Sequence, residues 1–173
     1  MEWMTMMTND PNWRLPEVPA FTLESSDFSD GDPLPQWVRG DSGNRTPALR
    51  WSGAPESTKS YTLTVFDPDA PTGSGFWHWA VRNIPSSITQ LDAGASLPPE
   101  AVVMANELRV EEFTGAAPPP GDGPHRYFFT VSALDVESLD LPAGATPAVL
   151  GFMLRGHIIG RAQLMGTAET HSQ

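Results

Sequence analysis

Short alternations of apolar and polar residues recur along the chain and predict β-strands. The strongest run is 60–66, which is β-branched and aromatic and places Leu63 and Val65 on one face. Four more runs of the same kind lie at 21–25, 48–51, 77–84 and 127–134. Long connections with turn-forming residues separate these runs, so the pattern predicts a mainly β fold with long loops.

One segment near the carboxyl end has helical periodicity. Thr146 and Pro147 are typical of a helix start, as the N-cap and the first helical residue. Apolar residues then recur at every fourth position, at Leu150, Leu154, Ile158 and Ala162. Gly166 would stop the helix, so the pattern predicts one helix over 147–166. Interior glycines cost helix propensity and predict close packing of this helix on the sheet; they are Gly151, Gly156 and Gly160.

The chain divides into an irregular arm and one domain. Pro11, Pro16 and Pro19 disfavour regular structure in residues 1–19. The length of 173 residues suits a single domain, which we place at residues 20–173.

Charge and composition exclude several classes of function. Ten basic residues against 21 acidic ones give a net charge of −11, which should repel nucleic acids and anionic membrane surfaces. The chain has no cysteine, so disulfides, thiolate nucleophiles and thiolate-bound metals are excluded. No apolar run approaches the roughly 18 residues needed to span a bilayer, and residues 1–7 lack the cationic flank of a secretory signal. We therefore expect a cytoplasmic protein.

Three segments at predicted strand ends concentrate ionisable residues. They are 67–71 (Asp-Pro-Asp-Ala-Pro), 73–79 (Gly-Ser-Gly-Phe-Trp-His-Trp) and 121–127 (Gly-Asp-Gly-Pro-His-Arg-Tyr). Loops at the ends of a β scaffold are where binding and catalytic residues usually lie. Proline or glycine fixes the backbone in each segment, so we expect one set of side chains to converge: Asp67, His78, His125 and Tyr127.

Two catalytic interpretations fit these residues poorly. A Ser–His–Asp hydrolase is suggested by 40–43 (Gly-Asp-Ser-Gly), but no G-x-S-x-G elbow is present and the chain is short for a two-barrel protease. A metal site of His78, His125 and Asp67 is chemically possible, although the spacing matches no metalloenzyme motif. No side chain stands out as an activated nucleophile, and we expect neither a metal nor another cofactor.

An oxyanion site fits these residues better. Two imidazoles in a cationic or donor state, one of them oriented by Asp67, suit a phosphate or a carboxylate together with Tyr127 and loop amides. Trp77 and Trp79 would add walls that lower the local dielectric. The residues therefore favour a binding pocket over an active site.

A set of motifs occurs in a fixed order along the chain: 67–71, then 77–79 leading to Asn-Ile-Pro at 83–85, then 123–127, and a last match from Gly151 to Ala162. Together they resemble the phosphatidylethanolamine-binding protein family, also called the Raf kinase inhibitor-like proteins. The resemblance spans residues 20–166 and looks strongest to the short bacterial and archaeal members.

The resemblance implies a two-sheet Greek-key β-sandwich with long loops and a C-terminal helix. It also implies a surface pocket for phosphate, acetate or a phosphoethanolamine-type head group. Carried over position by position, the residues that bind the ligand would be Asp67, Pro71, His78, Gly115, Ala117, His125 and Tyr127. Ala117 stands where the family has a glycine.

The resemblance further implies a non-enzymatic, regulatory binding protein, and a homodimer as in bacterial relatives. An apolar set of Phe152, Met153 and Met165 would suit the dimer contact. Two other functions stay open. One is inhibition of a protein kinase or a peptidase through loops at the pocket rim, and the other is weak hydrolysis with His78 or His125 as the base.

Overall fold

The computed structural model describes residues 10–172. Within this range the chain forms eight strands and one short α-helix, α1 (Pro147–Met153). The strands are β1 (Thr22–Glu24), β2 (Leu49–Ser52), β3 (Ser60–Asp67), β4 (Phe76–Pro85), β5 (Gln90–Leu91), β6 (Val102–Val103), β7 (His125–Leu134) and β8 (Ile158–Ala168). Short 3-10 turns lie at Gln36–Val38 and Leu154–Gly156.

The strands form two antiparallel sheets. The larger sheet has the order β6-β4-β3-β7-β8, and the smaller one has the order β1-β2-β5. In the central strand β3, Leu63 and Val65 are fully buried, as their alternation predicts. The expected fold class, mainly β with two sheets and a late helix, is confirmed.

Two apolar clusters hold the layers together. The smaller sheet covers the inner face of the larger one, where Leu23 and Trp51 pack with Val65 and Phe129. On the outer face, the helix α1 contributes to a second cluster together with Ala80, Leu134, Leu150, Leu154 and Ile158. The larger sheet is therefore covered on both faces.

The prediction of a helix over 147–166 is wrong for the residues after the turn at Leu154–Gly156. The strand β8 follows and pairs with β7 along its length, from Leu134–Ile158 to His125–Ala168. A spacing of four residues is one helical turn and also two strand repeats, so it could not separate the two structures. The burial of β8 alternates residue by residue, which is the strand period.

The close packing expected at the glycines occurs in this strand and not on the helix. An added Cβ at Gly166 would lie 2.4 Å from Leu34 Cδ2, and one at Gly160 would lie 3.1 Å from Pro55 Cδ. An added Cβ at Gly151 would meet no heavy atom within 4 Å. The missing side chains in β8 thus make room for the loops that cross it.

Residues 10–19 form neither helix nor strand and lie against β8. Asn12 and Gln163 exchange two side-chain hydrogen bonds of 2.8 and 2.9 Å, and Arg161 Nη1 donates to the Pro16 carbonyl oxygen at 3.0 Å. Residues 1–9 and 173 lie outside the described residues. In the range that is described, no helix is long and apolar enough to cross a membrane.

We expect Gly166→Ala to destabilise the fold by about 1–3 kcal/mol, the usual cost of extra carbon in a filled core. The new Cβ would lie 2.8 Å or less from two Leu34 side-chain atoms, so this part of the core must shift. Thr167→Ala, at the neighbouring half-exposed position, is the control and should cost clearly less. Urea unfolding measures both changes, and a Gly166→Ala protein as stable as the parent would contradict the close packing.

Candidate functional site

Three strand ends meet at one end of the larger sheet. Asp67 ends β3 and pairs with Phe76 at the start of β4, while His125 starts β7, the other neighbour of β3. Because neighbouring antiparallel strands begin and end side by side, the side chains of these termini share one region. The contacts described below show that Asp67, His78, His125 and Tyr127 come together there.

The ring of His125 is hydrogen-bonded on both nitrogens. Nδ1 lies 2.7 Å from Asp67 Oδ2, and Nε2 is bonded to Asp122 Oδ2. Asp67 is buried, and its second oxygen accepts the backbone N–H of Asp69 at 2.7 Å. Asp122 lies on the solvent side, with 35 % of its side chain exposed against 3 % for His125.

The hydrogen bonds from the His125 ring to two carboxylates determine the charge of the ring. When both carboxyl groups are ionised, their oxygens only accept, so both nitrogens of His125 carry hydrogen and the ring is an imidazolium. Burial alone lowers the pKa of His125, but the hydrogen bonds to Asp122 and Asp67 outweigh it, and the pKa is raised. Burial also raises the pKa of Asp67. Because the ring needs both N–H groups, we assign the proton to His125 and the negative charge to Asp67.

Asp69 and Arg126 clamp the turn after β3 to the start of β7. Asp69 Oδ2 accepts from the Arg126 backbone N–H at 3.0 Å and from Nε at 2.8 Å, and Oδ1 accepts from Nη2 at 2.8 Å. Burial alone would raise the pKa of Asp69, but the bonds from Arg126 outweigh it and lower the pKa. The clamp keeps Asp67 and His125 in register, since they are close in sequence to its two members.

His78 enters the site because β4 bulges at this residue. Val65 of β3 pairs with Trp79, whereas Phe66 pairs with Trp77, so His78 is an extra residue between two pairs. A bulge of this kind locally reorients side chains, and it is often found beside functional sites.

The ring of His78 is buried and neutral. Nδ1 lies 2.7 Å from the Thr114 carbonyl oxygen and must donate to it, which leaves Nε2 as an acceptor. Burial lowers the pKa of His78 to about 4, against the opposing effect of its backbone hydrogen bonds. The ring centroid lies 4.7 Å from that of Phe76 and 5.2 Å from that of Tyr127. Of the two imidazoles expected in a cationic or donor state, His125 is a cation and His78 is a neutral ring that donates from Nδ1.

Asn106 holds the loop that reaches His78. It is buried, and Nδ2 donates to the Glu112 carbonyl oxygen at 2.9 Å and to Thr114 Oγ1 at 2.7 Å. The Thr114 N–H in turn donates to the His78 carbonyl oxygen at 3.0 Å. The loop is thus fixed against the bulge by a residue that the sequence analysis did not single out.

Tyr127 and Arg39 add a hydroxyl and a second cation. Burial and the charge of Asp67 raise the pKa of Tyr127, so its hydroxyl stays protonated. The charge of Arg39 acts in the opposite direction, which places this guanidinium near enough to act on Tyr127 electrostatically. Arg39 is held by the carboxyl-terminal segment, through the Glu169 carbonyl oxygen at 3.1 Å and Thr170 Oγ1 at 2.5 Å.

Gly115 and Ala117 lie beside these rings, but the amide of Gly115 is not free. It donates to Asn44 Oδ1 at 2.6 Å, which corrects our expectation of a loop amide facing a ligand. An added Cβ at Gly115 would lie 2.2 Å from the Val38 carbonyl oxygen, so glycine is needed for close backbone packing. Ala117 is exposed and does not need a positive φ.

The two tryptophans lie on different faces of the larger sheet, and Pro71 stays a predicted ligand residue. Pro71 is exposed in the turn after β3. Trp79 packs edge-on against Phe113 in the inner core, with centroids 5.6 Å apart, whereas Trp77 packs on Phe66 at 4.2 Å on the outer face. The expectation of two tryptophan walls around one pocket is therefore wrong, because the bulge at His78 sends them to opposite faces.

Three residues of the site were missed by the sequence analysis: Arg39, Asn106 and Asp122. Arg39 and Asn106 lie in long loops without a motif. Asp122 lies inside a candidate segment, where its position between two glycines is typical of a turn and conceals its contact with His125. Among residues 10–172, no group of three or more His, Asp or Glu side chains is arranged to hold a metal ion.

Comparisons with known proteins agree with this architecture. The family model for phosphatidylethanolamine-binding protein matches residues 24–169. The UPF0098 protein YbcL of Escherichia coli K12 is 42 % identical over 159 residues, which cover 86 % of this chain and 87 % of YbcL. YbhB of the same organism is 40 % identical over 152 residues, covering 82 % of this chain and 96 % of YbhB. The crystal structure of E. coli YbcL, described as a member of the mammalian PEBP family, matches with a TM-score of 0.82 and 40 % identity over 86 % of this chain and 98 % of that one.

We expect the two buried histidines to titrate on opposite sides of the usual value of about 6.5. His78 should stay neutral until the pH falls to about 4, and His125 should keep its proton above 6.5. NMR titration of the ring protons measures both, with His78→Gln and His125→Gln used to assign the signals. A neutral His125 ring at pH 6.5 would contradict the bridging of two carboxylates.

The raised pKa of His125 also determines how the stability of the fold changes with pH. The raised pKa of His125 stabilises the fold below about pH 6.5, and this contribution is lost as the pH rises through the folded-state pKa. The stability difference between the parent and His125→Gln should therefore shrink on the alkaline side.

Proposed function

The chain belongs to the phosphatidylethanolamine-binding protein family, and from that premise we propose that it is a binding protein for small anions. The proposed site is the His125 ring with Asp122 on its outer side and Tyr127 and Arg39 beside it. The ligand class is an oxyanion: phosphate, a carboxylate or a phosphoethanolamine-type head group.

One observation carries this proposal, namely that a carboxylate of the chain already occupies the outward nitrogen of a buried imidazolium. Asp122 bonds to Nε2 of His125 from an exposed loop, between Gly121 and Gly123, both of which have a positive φ. A phosphate or carboxylate oxygen from solution can make the same charge-assisted hydrogen bond. We infer that the ligand takes the place of Asp122, while Asp67 keeps the ring oriented from inside.

Exchange also answers the objection that a chain with a net charge of −11 should repel anions. When a ligand anion replaces the Asp122 carboxylate, the charge next to the ring is retained and Asp122 moves into water. The Arg39 guanidinium, which lies 3.5 Å from the exposed Asp41 carboxylate, is a further positive charge near Tyr127.

The same groups favour binding over catalysis. A general base needs a nitrogen with a free lone pair and a pKa near the working pH. Both nitrogens of His125 are hydrogen-bonded, and the pKa of His78, lowered to about 4, makes its remaining nitrogen a weak base. We therefore propose a non-enzymatic role.

We expect Asp122→Asn to bind inorganic phosphate more tightly than the parent, by roughly tenfold, or about 1.4 kcal/mol. The amide competes less well for the imidazolium than the carboxylate does. His125→Gln should lose most of the binding. Calorimetry at pH 7 measures all three proteins.

Asp135→Asn is the matched control, since Asp135 pairs with His157 at 3.1 Å and is unconnected to the site. It should leave phosphate affinity unchanged. A pH series with sulfate, which keeps its charge throughout, should show affinity falling as the pH rises through the raised pKa of His125. Equal phosphate affinity in the parent, Asp122→Asn and His125→Gln would reject the proposed site.

From the family relation we also propose a homodimer. Phe152 and Met153 expose 62 % and 41 % of their surface and are adjacent in the chain, so together they form an apolar patch that suits a contact between copies. Sedimentation at micromolar concentration should give the mass of two chains. A mass near 18.8 kDa would reject the dimer.

A further inference from the structure

A second cavity lies on the outer face of the larger sheet, away from the imidazoles. Its volume is about 370 Å³, and it is a half-open cleft lined by the helix α1, the outward side chains of β3, β7 and β8, and residues 11–16. At roughly 30 Å³ per water, this volume holds about a dozen waters, which is the size of a small organic ligand.

The cavity exists because small residues face each other across it. On α1 and the turn after it, the inward stripe is Pro147, Leu150, Gly151 and Leu154, and an added Cβ at Gly151 would meet no heavy atom within 4 Å. The sheet below presents hydroxyl-bearing residues in place of bulky apolar ones, at Thr62, Thr64, Thr130 and Ser132. One missing side chain on the helix therefore leaves a gap that the sheet does not fill.

One wall of the cavity is aromatic. Phe66 and Trp77 lie with their ring centroids 4.2 Å apart, and Phe128 extends the wall on the neighbouring strand β7. Flat apolar groups pack well against such a surface.

The opposite side carries a cation, Arg161. Burial lowers the pKa of Arg161, and among residues 10–172 no carboxylate forms an ion pair with it; its Nη1 donates only to the neutral Pro16 carbonyl oxygen. Arg155, whose guanidinium lies 4.2 Å from the centre of the Phe152 ring, adds a second positive charge at the rim. In a chain of net charge −11, a half-buried guanidinium without a carboxylate is a site of local attraction for anions.

We propose that this cavity binds a small amphipathic anion, with a carboxylate or sulfonate group at Arg161 and a flat apolar body between Gly151 and the Trp77 wall. The volume is that of one small molecule, and the lining matches both ends of it in charge and polarity. This site shares no residue with the His125 site and does not depend on the function proposed for it.

The test uses 2-naphthoate, a fused two-ring carboxylate, and its uncharged analogue 2-naphthamide. Calorimetry on the full chain should give a dissociation constant for 2-naphthoate below about 1 mM. Arg161→Gln, which keeps a donor for Pro16, should weaken 2-naphthoate binding about tenfold or more and change 2-naphthamide binding little.

Gly151→Leu should abolish binding of both compounds by filling the cavity. Leucine has a higher helix propensity than glycine, so the thermal midpoint of this variant should be kept or raised. Gly156→Leu is the matched control, since an added Cβ there also meets open space but Gly156 does not line the cavity. It should bind both compounds as the parent does.

Two outcomes would overturn the proposal: no binding of 2-naphthoate to the parent, or binding that survives both Gly151→Leu and Arg161→Gln. Phosphate binding at the His125 site should be unchanged in Gly151→Leu. A loss of phosphate binding as well would mean that the variant has disturbed the fold, and Gly151→Ala would then replace it, with reduced binding of 2-naphthoate as the required result.

Discussion

A cation buried at the end of a β-sheet must have negative charge within hydrogen-bonding distance, because an unpaired buried charge costs several kcal/mol. His125 meets this requirement with carboxylates from two parts of the chain, Asp67 from the end of β3 and Asp122 from the loop before β7. The Asp69–Arg126 clamp holds the first contact in place, whereas the second lies at the surface between glycines. The inner contact of the ring is thus buried and braced, whereas the outer contact lies at the surface, where we propose that a ligand replaces Asp122.

The pattern of apolar and polar residues predicted the strands well where it fits only the strand period. It predicted them poorly where the same spacing fits both a strand and a helix. Leu63 and Val65 alternate in a β-branched run, and no helical pattern competes with that alternation. Ile158 and Ala162 are four residues apart, which suits both a helix and a strand. Thr146 and Pro147 correctly marked a helix start, and the chain then left the helix after Met153. Pairing with β7, which is not visible in a local pattern, decides the structure of β8.

The sequence predicted only those site residues that belong to a recognisable motif. Asp67 and His125 lie at strand ends beside proline and glycine, and their contact follows from the pairing of β3 with β7. Arg39 and Asn106 act from long loops whose path depends on tertiary contacts, such as the packing of Gly115 against Val38. Sequence spacing contains no information on such paths. Their roles could therefore be found only in three dimensions.

The extra residue in β4, His78, determines which side chains lie on each face of the larger sheet. In a regular strand Trp77 and Trp79 would share a face, since side chains alternate with a period of two. The bulge at His78 breaks that alternation: Trp79 joins the inner core, His78 reaches Tyr127 near the buried cation, and Trp77 lines the outer cavity. Removing the bulge would shift every residue on one side of it to the other face. The proposed anion site and the outer cavity therefore share no residue but depend on the same local irregularity of one strand.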